Sequence, residues 1–139
     1  MSQAFSGYGL FLKQGDGGSP EVFTAIPEVQ NVDFTGSKVD TVDVTHAQSP
    51  NRAREFIATL IDSGECSFTA NFLPTDAIQA NLEATKTAAK LVNWQVILPN
   101  SLGTFHFAGL LHALDKNLDF TKEAKLTGKI KISGPIAFA

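Results

Sequence analysis

The sequence predicts a mainly β protein with six or seven strands and one helix. Eleven glycines and eleven phenylalanines, together with abundant threonine and valine, favour strands that are separated by turns. Several segments also alternate apolar with polar residues, which is the period of a half-buried strand. The alternation is clearest in residues 64–74, where the apolar positions are Cys66, Phe68, Ala70 and Phe72.

The composition indicates one soluble domain. A chain of 139 residues has the commonest domain size, and 43% hydrophobic with 18% charged residues is typical of a globular protein. The net charge of -3 lacks the basic footprint of a tight nucleic-acid binder. The single cysteine excludes an internal disulfide and a multi-cysteine metal site. Because no signal peptide or long apolar run is recognisable, we expect a protein that is made in a cytoplasm and has no membrane partner.

The amino-terminal part of the chain is predicted to form strands that are broken by turns. Residues 7–13 form the first strand, and the glycine-rich residues 14–20 form a turn. That turn lacks the Gly-Lys-Ser/Thr ending of a phosphate-binding loop and leads into an extended run. Residues 21–34 alternate imperfectly around Pro27, which favours a bulged or edge strand. Residues 38–45 form the next strand, with apolar and polar side chains on both faces.

A long connection, residues 46–63, follows this strand. Its eighteen residues exceed an ordinary connection, and such loops are usually functional or disordered. After Pro50 the spacing of its apolar residues could give one or two helical turns with an apolar stripe. The stripe either packs on its own domain or docks on a neighbouring subunit. The candidates for a subunit interface are therefore Arg52, Arg54, Glu55, Phe56, Ile57, Leu60 and Ile61.

The only convincing helix is expected at about residues 76–90. Asp76 is a suitable N-cap, and Gln79 three positions later completes a capping-box pattern. One stripe of this helix would lie on a sheet, and it consists of Ile78, Leu82, Thr85 and Ala89.

Three more strands complete the prediction. Residues 91–98 and 104–114 form a hairpin around a turn at residues 99–103. The second of these strands is apolar on both faces, with Phe105, Phe107 and Leu111 opposite Ala108, Leu110 and Leu114, so we expect it to be covered on both sides. The last strand, residues 122–133, alternates regularly, and its polar face includes Lys125, Lys129 and Lys131.

No catalytic, cofactor or metal site is predicted. His106 and His112 share one face of a strand but are about 20 Å apart at the usual strand rise, which is too far to share a metal ion. Cys66 lies on an apolar face with no adjacent base, which indicates a buried, inert thiol. Neither a nucleophile elbow nor a zinc-binding helix motif is present.

Eight short segments follow one another in a characteristic order: residues 15–24, 26–29, 40–45, 54–57, 61–65, 72–74, 107–109 and 131–136. Together they span nearly the whole chain. In this order they resemble the major tail tube proteins of long, non-contractile-tailed bacteriophages.

The resemblance implies a fold, an assembly and a location. The fold is a β-sandwich or split barrel of antiparallel strands with one flanking helix, in a single tail-tube domain over residues 1–139 with no C-terminal immunoglobulin-like domain. Six copies form a ring, and the rings stack into a hollow tube through which the phage genome leaves. The loop at residues 46–63 contacts neighbouring subunits and rings. The expected partners are copies of the chain and other tail proteins, such as the tape measure and the terminator, in a virion tail that is assembled in the host cytoplasm.

The resemblance also implies a face that lines the channel. Such a face should not grip DNA, because each lysine or arginine contact to phosphate adds salt-dependent affinity. The candidates are therefore the polar residues of one strand, Glu65, Ser67, Thr69 and Asn71. The lysine face of Lys125, Lys129 and Lys131 is a poorer candidate, unless acids from neighbouring strands neutralise it.

Two other functions are alternatives to this one. A tube subunit of a contractile tail or type VI secretion system would share the architecture. A small ligand-binding β-barrel would instead be a monomer with a closed apolar interior.

Overall fold

The computed structural model describes residues 2–139 and contains nine strands and one α-helix. The strands are β1 (Phe11–Gly15), β2 (Phe23–Ala25), β3 (Val29–Thr35), β4 (Lys38–Asp43), β5 (Phe56–Asp62), β6 (Glu65–Asn71), β7 (Leu91–Ile97), β8 (Thr104–Asn117) and β9 (Lys125–Phe138). The helix, α1, is Ala77–Ala88, and short 3-10 turns occur at Pro50–Arg52 and Pro99–Ser101.

Seven of the strands form one antiparallel sheet in the order β2-β1-β7-β8-β9-β6-β3. The sheet does not close into a barrel, but it folds over so that β1 and β3 approach each other. Its inner face and α1 enclose a single core, which includes Leu12, Phe68, Leu82, Trp94, Leu111 and Ile130. The predicted mainly β class with one flanking helix is confirmed.

The strand count exceeds the predicted six or seven for two local reasons. Residues 21–34 form two strands because Pro27 and Glu28 interrupt them, and Glu28 has a positive φ of 54°. The prediction of helical turns at residues 56–61 was wrong, because these residues form β5, which pairs with β4 as a second, two-stranded sheet. The loop expected at residues 46–63 is therefore a shorter connection followed by a strand.

The helix begins and ends close to the predicted limits. Asp76 caps it, since its Oδ1 accepts hydrogen bonds from the backbone N–H groups of Ile78 (2.7 Å) and Gln79 (3.4 Å). The reciprocal half of the predicted capping box is absent. The buried Gln79 side chain instead receives the N–H of Leu73 and donates to the carbonyl of Asn71, each at 2.8 Å. It therefore fixes the start of α1 to the end of β6.

A bulge in β8 changes the predicted assignment of its faces. The register shifts between Leu111 and Ala113, so that Leu111 pairs with Ile130 and Leu114 pairs with Gly128. Both partners lie on the inner face, so Leu114 shares the face of Leu111 rather than the opposite one. On the outer side, His112 is exposed and Ala113 is half-buried.

Candidate assembly surfaces

Residues 38–62 form an arm, which consists of β4, β5 and their connection. Every residue of β4 is exposed, as is every residue of β5 except Asp62. The arm joins the large sheet where β3 ends and β6 begins, through Gly36 and Gly64, whose φ angles are +78° and +88°. Both glycines occupy left-handed backbone conformations that other residues rarely adopt. The arm is thus a hydrogen-bonded hairpin whose side chains lie outside the core.

The arm has apolar side chains on both of its faces. Val42 lies opposite Ile57 and the next residue, Asp43, lies opposite Phe56, so these two pairs point to opposite faces. Ile61 lies opposite Val39, which shares the face of Asp43. Phe56 and Ile57 are 55% and 52% exposed, and Leu60 and Ile61 are 74% and 75% exposed. Within this chain, therefore, the predicted apolar stripe does not pack back on its own domain.

The charged interface candidates lie at the tip of the arm, and two of them, Arg54 and Glu55, bind to neighbouring residues of the arm. Arg54 Nη1 lies 3.4 Å from Asp43 Oδ2. Glu55 Oε2 accepts a hydrogen bond from Ser49 Oγ at 2.6 Å and lies 3.4 Å from His46 Nε2. Hydrogen bonds from the Thr45 hydroxyl and N–H lower the pKa of Asp43, so that this carboxylate stays ionised. These contacts link residues within the connection between β4 and β5 and join it to the end of β4.

The predicted channel residues lie side by side on the outer face of β6. Glu65, Ser67, Thr69 and Asn71 are half-buried there, while Cys66, Phe68 and Ala70 are buried on the inner face. The outer face continues into the neighbouring strands, because β6 pairs with β3 on one side and with β9 on the other. On β3, Asp33 is the partner of Ser67 and Thr35 is the partner of Glu65.

The polar face of β6 and the lysine face of β9 are one surface, although their patterns in the sequence suggest two. In the register of β6 and β9, Glu65 pairs with Lys131, Ser67 with Lys129 and Asn71 with Lys125. Cross-strand partners point to the same side of a sheet, so the lysines are neighbours of the candidate channel residues. The contrast between the two faces was therefore wrong. Sequence alone could not reveal it, because β6 and β9 lie far apart in the chain.

Acids neutralise part of this outer face. Lys131 Nζ lies 3.4 Å from Asp62 Oδ1, and Lys125 Nζ lies 2.7 Å from Glu123 Oε1 and also donates to Gln30. His112 Nε2 lies 3.2 Å from Glu65 Oε2. Asp62 has a lowered pKa because it accepts the N–H of Gly64 and, secondarily, lies close to Lys131. Among residues 2–139, Lys129 is the one lysine of the three that forms no ion pair.

The described residues contain neither a reactive thiol nor a cluster of metal ligands. Cys66 is buried, and burial raises the pKa of its thiol to about 12, so it is a poor nucleophile. Among residues 2–139, no three His, Cys, Asp or Glu side chains are grouped so that they could hold a metal ion. In the same part of the chain, no helix has both the length and the apolar character needed to span a membrane.

The fold is that of tail tubes of known structure. The chain superposes on a protein of the native gene transfer agent virion with a TM-score of 0.76 at 19% identity, covering 98% of this chain and 99% of the other. A protein from the tail of the empty gene transfer agent particle, which has C6 symmetry, superposes with a TM-score of 0.77 at 20% identity, again covering 98% of this chain and 99% of the other. The protein of the SPP1 tail tube superposes with a TM-score of 0.70 at 11% identity, covering 97% of this chain and 78% of the other.

Contractile machines share this fold as well. A protein of the sheath-tube complex of an extracellular contractile injection system gives a TM-score of 0.74 at 11% identity, covering 100% of this chain and 93% of the other. No curated protein sequence matches the chain. The family described as "Lambda phage tail tube protein, TTP" matches residues 11–137, which is nearly the whole chain. The chain therefore belongs to the lambda phage tail tube protein family, in agreement with the resemblance of its sequence.

Proposed function

We propose that this chain is the repeating subunit of a hollow tail tube, built from stacked rings of six copies through which phage DNA leaves the virion. The observation that carries the proposal is the arm, which exposes apolar side chains on both faces of a two-stranded hairpin. An isolated two-stranded hairpin with such exposure is a poor arrangement for a monomer in water. The C6 symmetry of the gene transfer agent tail supports six copies in each ring.

The arm contributes the main subunit interface. Its contact residues are those expected from the sequence, Arg52, Arg54, Glu55, Phe56, Ile57, Leu60 and Ile61. Because the arm is apolar on both faces, covering it fully takes two surfaces, such as a neighbour in the same ring and a subunit of the next ring. The charged residues at the tip of the arm fix how the arm is aligned on its neighbour, whereas its apolar side chains supply most of the affinity.

The outer face of β3, β6 and β9 lines the channel. Glu65, Ser67, Thr69 and Asn71 supply neutral or acidic groups, and Asp62 and Glu123 offset the charge of Lys131 and Lys125. A nearly balanced face lets DNA pass, because few free cations are available for its phosphates. In this arrangement the strands run along the tube and the free edges β2 and β3 pair between subunits.

The role is structural rather than enzymatic. The subunit works in a virion tail after assembly in the host cytoplasm, and its other partners are tail proteins such as the tape measure and the terminator. The family match supports a non-contractile tail, although tubes of contractile systems share the fold. A small ligand-binding barrel is disfavoured because the sheet is open.

Electron microscopy of the purified protein tests assembly. The wild-type chain is expected to form six-fold rings and tubes. Val42→Asp, in the arm, should block assembly, because it places a charge in an apolar contact. Val22→Asp is the matched control, since Val22 is a comparably exposed valine on the body of the protein (59% against 47%). A wild-type chain that stays monomeric at all concentrations, or a Val42→Asp chain that assembles normally, would contradict the proposal.

Thiol labelling tests the channel face. Ser67→Cys should react with a small maleimide in both monomers and tubes, but with a large polyethylene-glycol maleimide only in monomers. Thr87→Cys, on the exposed side of α1, is the control and should react with both reagents in both states. If the large reagent labels Ser67→Cys in intact tubes, the outer face does not line the channel.

A further inference from the structure

The connection between β8 and β9 exposes two large apolar side chains. It consists of residues 118–124, which we call the β8–β9 tip. Phe120 is fully exposed there, and Leu118 is 71% exposed. Neither side chain belongs to the core. Two uncovered apolar side chains on one turn make the β8–β9 tip a candidate contact surface for another molecule.

Hydrogen bonds within the β8–β9 tip shape the turn that presents Phe120. Asp119 Oδ1 accepts the N–H and the hydroxyl of Thr121 at 2.9 Å and 2.8 Å, and these bonds lower the pKa of Asp119. The carbonyl of Ala124 accepts the N–H of Phe72 at 2.9 Å, which joins the base of the tip to the end of β6. Because the turn already has these bonds, less conformational entropy is lost when it meets a partner.

A cluster of four phenylalanine rings lies at the other end of the same hairpin. We call Phe34, Phe105, Phe107 and Phe138 the aromatic cluster. Phe105 lies with its ring centroid 5.4 Å from that of Phe34 and 4.8 Å from that of Phe138. Phe34 and Phe138 are exposed, so the cluster is open to solvent on one side. A Cβ atom on Gly103 would clash with the ring of Phe138, so this glycine leaves room for the exposed ring.

The β8–β9 tip and the aromatic cluster are separated by the length of β8. Phe105 pairs with Phe138 at one end of the hairpin, and Asn117 pairs with Lys125 at the other. From Phe105 to Asn117 the strand covers about 40 Å at the usual rise per residue. Each subunit therefore has an apolar projection at one end and an open apolar cluster at the opposite end.

We propose that Leu118 and Phe120 of one subunit dock on the aromatic cluster of a second copy of the chain in the adjacent ring. The inference rests on the proposed tube, in which the strands run along the tube axis. Rings that stack with one polarity place the tip end of one subunit against the cluster end of the next. Because the contact uses two different surfaces, it repeats from ring to ring without closing.

The chemistry of both surfaces favours this occupant. Aromatic rings associate edge to face, as Phe34 and Phe107 already do within the cluster at an interplanar angle of 81°. A membrane is a poorer partner for the tip. Asp119 and Glu123 outnumber Lys122 there, whereas attraction to anionic lipids requires clustered basic residues.

Crosslinking in assembled tubes tests the contact directly. The double variant Lys122→Cys/Leu102→Cys keeps both apolar residues of the tip. It places one thiol on the tip and one beside Gly103, at exposed positions. A short bismaleimide should then link copies of the chain into a ladder that continues beyond six, whereas links within one ring end at six. The native Cys66 should not react, because it is buried and its pKa is raised to about 12.

A second pair of cysteines is the control for the crosslinking. Lys122→Cys/Lys129→Cys has the same thiol on the tip, but its second thiol lies in the middle of β9, at an exposed position away from the aromatic cluster. It should give no ladder. The proposal is overturned if the Leu102→Cys pair gives no ladder or one that ends at six chains, or if the control gives the same ladder.

Substitution of Phe120 gives a second readout. Phe120→Asp should leave the fold and the rings intact, because the side chain is fully exposed. It should raise the protein concentration needed for tubes about ten-fold or more, because it places a charge in an apolar contact. Phe120→Leu keeps an apolar side chain and should form tubes like the wild-type chain. Lys129→Gln is the control, since it also lowers the net charge by one but lies away from the contact.

The outcomes separate this contact from the proposed tube. Normal tubes of Phe120→Asp would overturn the contact alone and leave the tip for another tail protein. Failure of the wild-type chain to form rings at all would overturn the proposed tube, and this contact with it. Electron microscopy and sedimentation of the same samples distinguish rings from tubes.

Discussion

Gly64 lies against the backbone of Thr35 where the arm joins the large sheet. A Cβ atom on Gly64 would lie 2.8 Å from the carbonyl carbon of Gly36 and closer still to the carbonyl oxygen of Thr35. Real Cβ atoms essentially never come so close to a backbone, and the φ angle of +88° is itself unfavourable for any other residue. At the root of the arm, the backbone segment around Thr35 and the segment around Gly64 can therefore approach each other only because residue 64 has no side chain.

Gly64→Ala is expected to destabilise the fold by more than the cost of its φ angle. A positive φ costs an alanine about 1–2 kcal/mol, and the clash with the backbone adds to that. Gly17→Ala is the matched control, because Gly17 also has a positive φ (+76°) but a Cβ there would meet no atom within 4 Å. Urea unfolding should show a larger loss for Gly64→Ala, and equal losses would show that the close approach is unimportant.

The stability of the protein should depend on pH through Asp62. The N–H of Gly64 and the nearby Lys131 favour the ionised carboxylate and lower its pKa. A lowered pKa means that the stabilisation is present above the ordinary value near 3.8 and is lost as the pH falls through the folded-state pKa. Asp62→Asn keeps an acceptor oxygen but does not titrate there. Between about pH 6 and pH 2, urea unfolding should show that the wild-type chain loses more free energy of unfolding than Asp62→Asn. If the free energies of unfolding of the two proteins fall in parallel with pH, the prediction is wrong.

Gly128 makes room for the ring of Phe68 on the neighbouring strand. A Cβ on Gly128 would lie within 3.2 Å of three atoms of that ring. Gly128→Ala is therefore expected to cost about 1–3 kcal/mol through overpacking. Phe68→Leu should relieve part of this cost, so the double variant should be more stable than the sum of the single variants predicts, by about 0.5–3 kcal/mol. Simple additivity in urea unfolding would exclude direct packing as the cause.

Gln79 should be important for joining α1 to β6. Gln79→Leu removes both of its hydrogen bonds and leaves the N–H of Leu73 and the carbonyl of Asn71 without these partners. Each partly buried polar group left unpaired costs about 1–3 kcal/mol. Asn81→Leu, at an exposed position of the same helix, should change stability by less than about 0.5 kcal/mol. Similar free energies of unfolding for the two variants would contradict this role.

Local patterns predicted most of the fold. The alternation of residues 64–74 identified both faces of β6, and Asp76 identified the start of α1. The hairpin of β7 and β8 follows from the turn between them. These features depend on neighbours in sequence, which is why the sequence predicts them.

Features that depend on distant residues were not predictable in this way. The apolar residues Phe56–Ile61 fit a helical stripe as well as a strand, and only their pairing with β4 makes them β5. The bulge at His112 moves Leu114 to the inner face without a signal in the sequence. The shared face of Glu65 and Lys131 depends on the register between two strands, and these paired residues are 66 positions apart in the sequence.

The place of β9 in the sheet constrains when the protein can fold during its synthesis. β9 is the last strand that the ribosome makes, yet it lies between β8 and β6 and pairs with both. Until it emerges, β3 and β6 cannot join β1, β7 and β8 in one sheet. The inner side chains of β6, including Phe68, therefore lack their β9 neighbours through most of translation. The residues of the arm, which pairs only β4 with β5, are by contrast all synthesised long before β9.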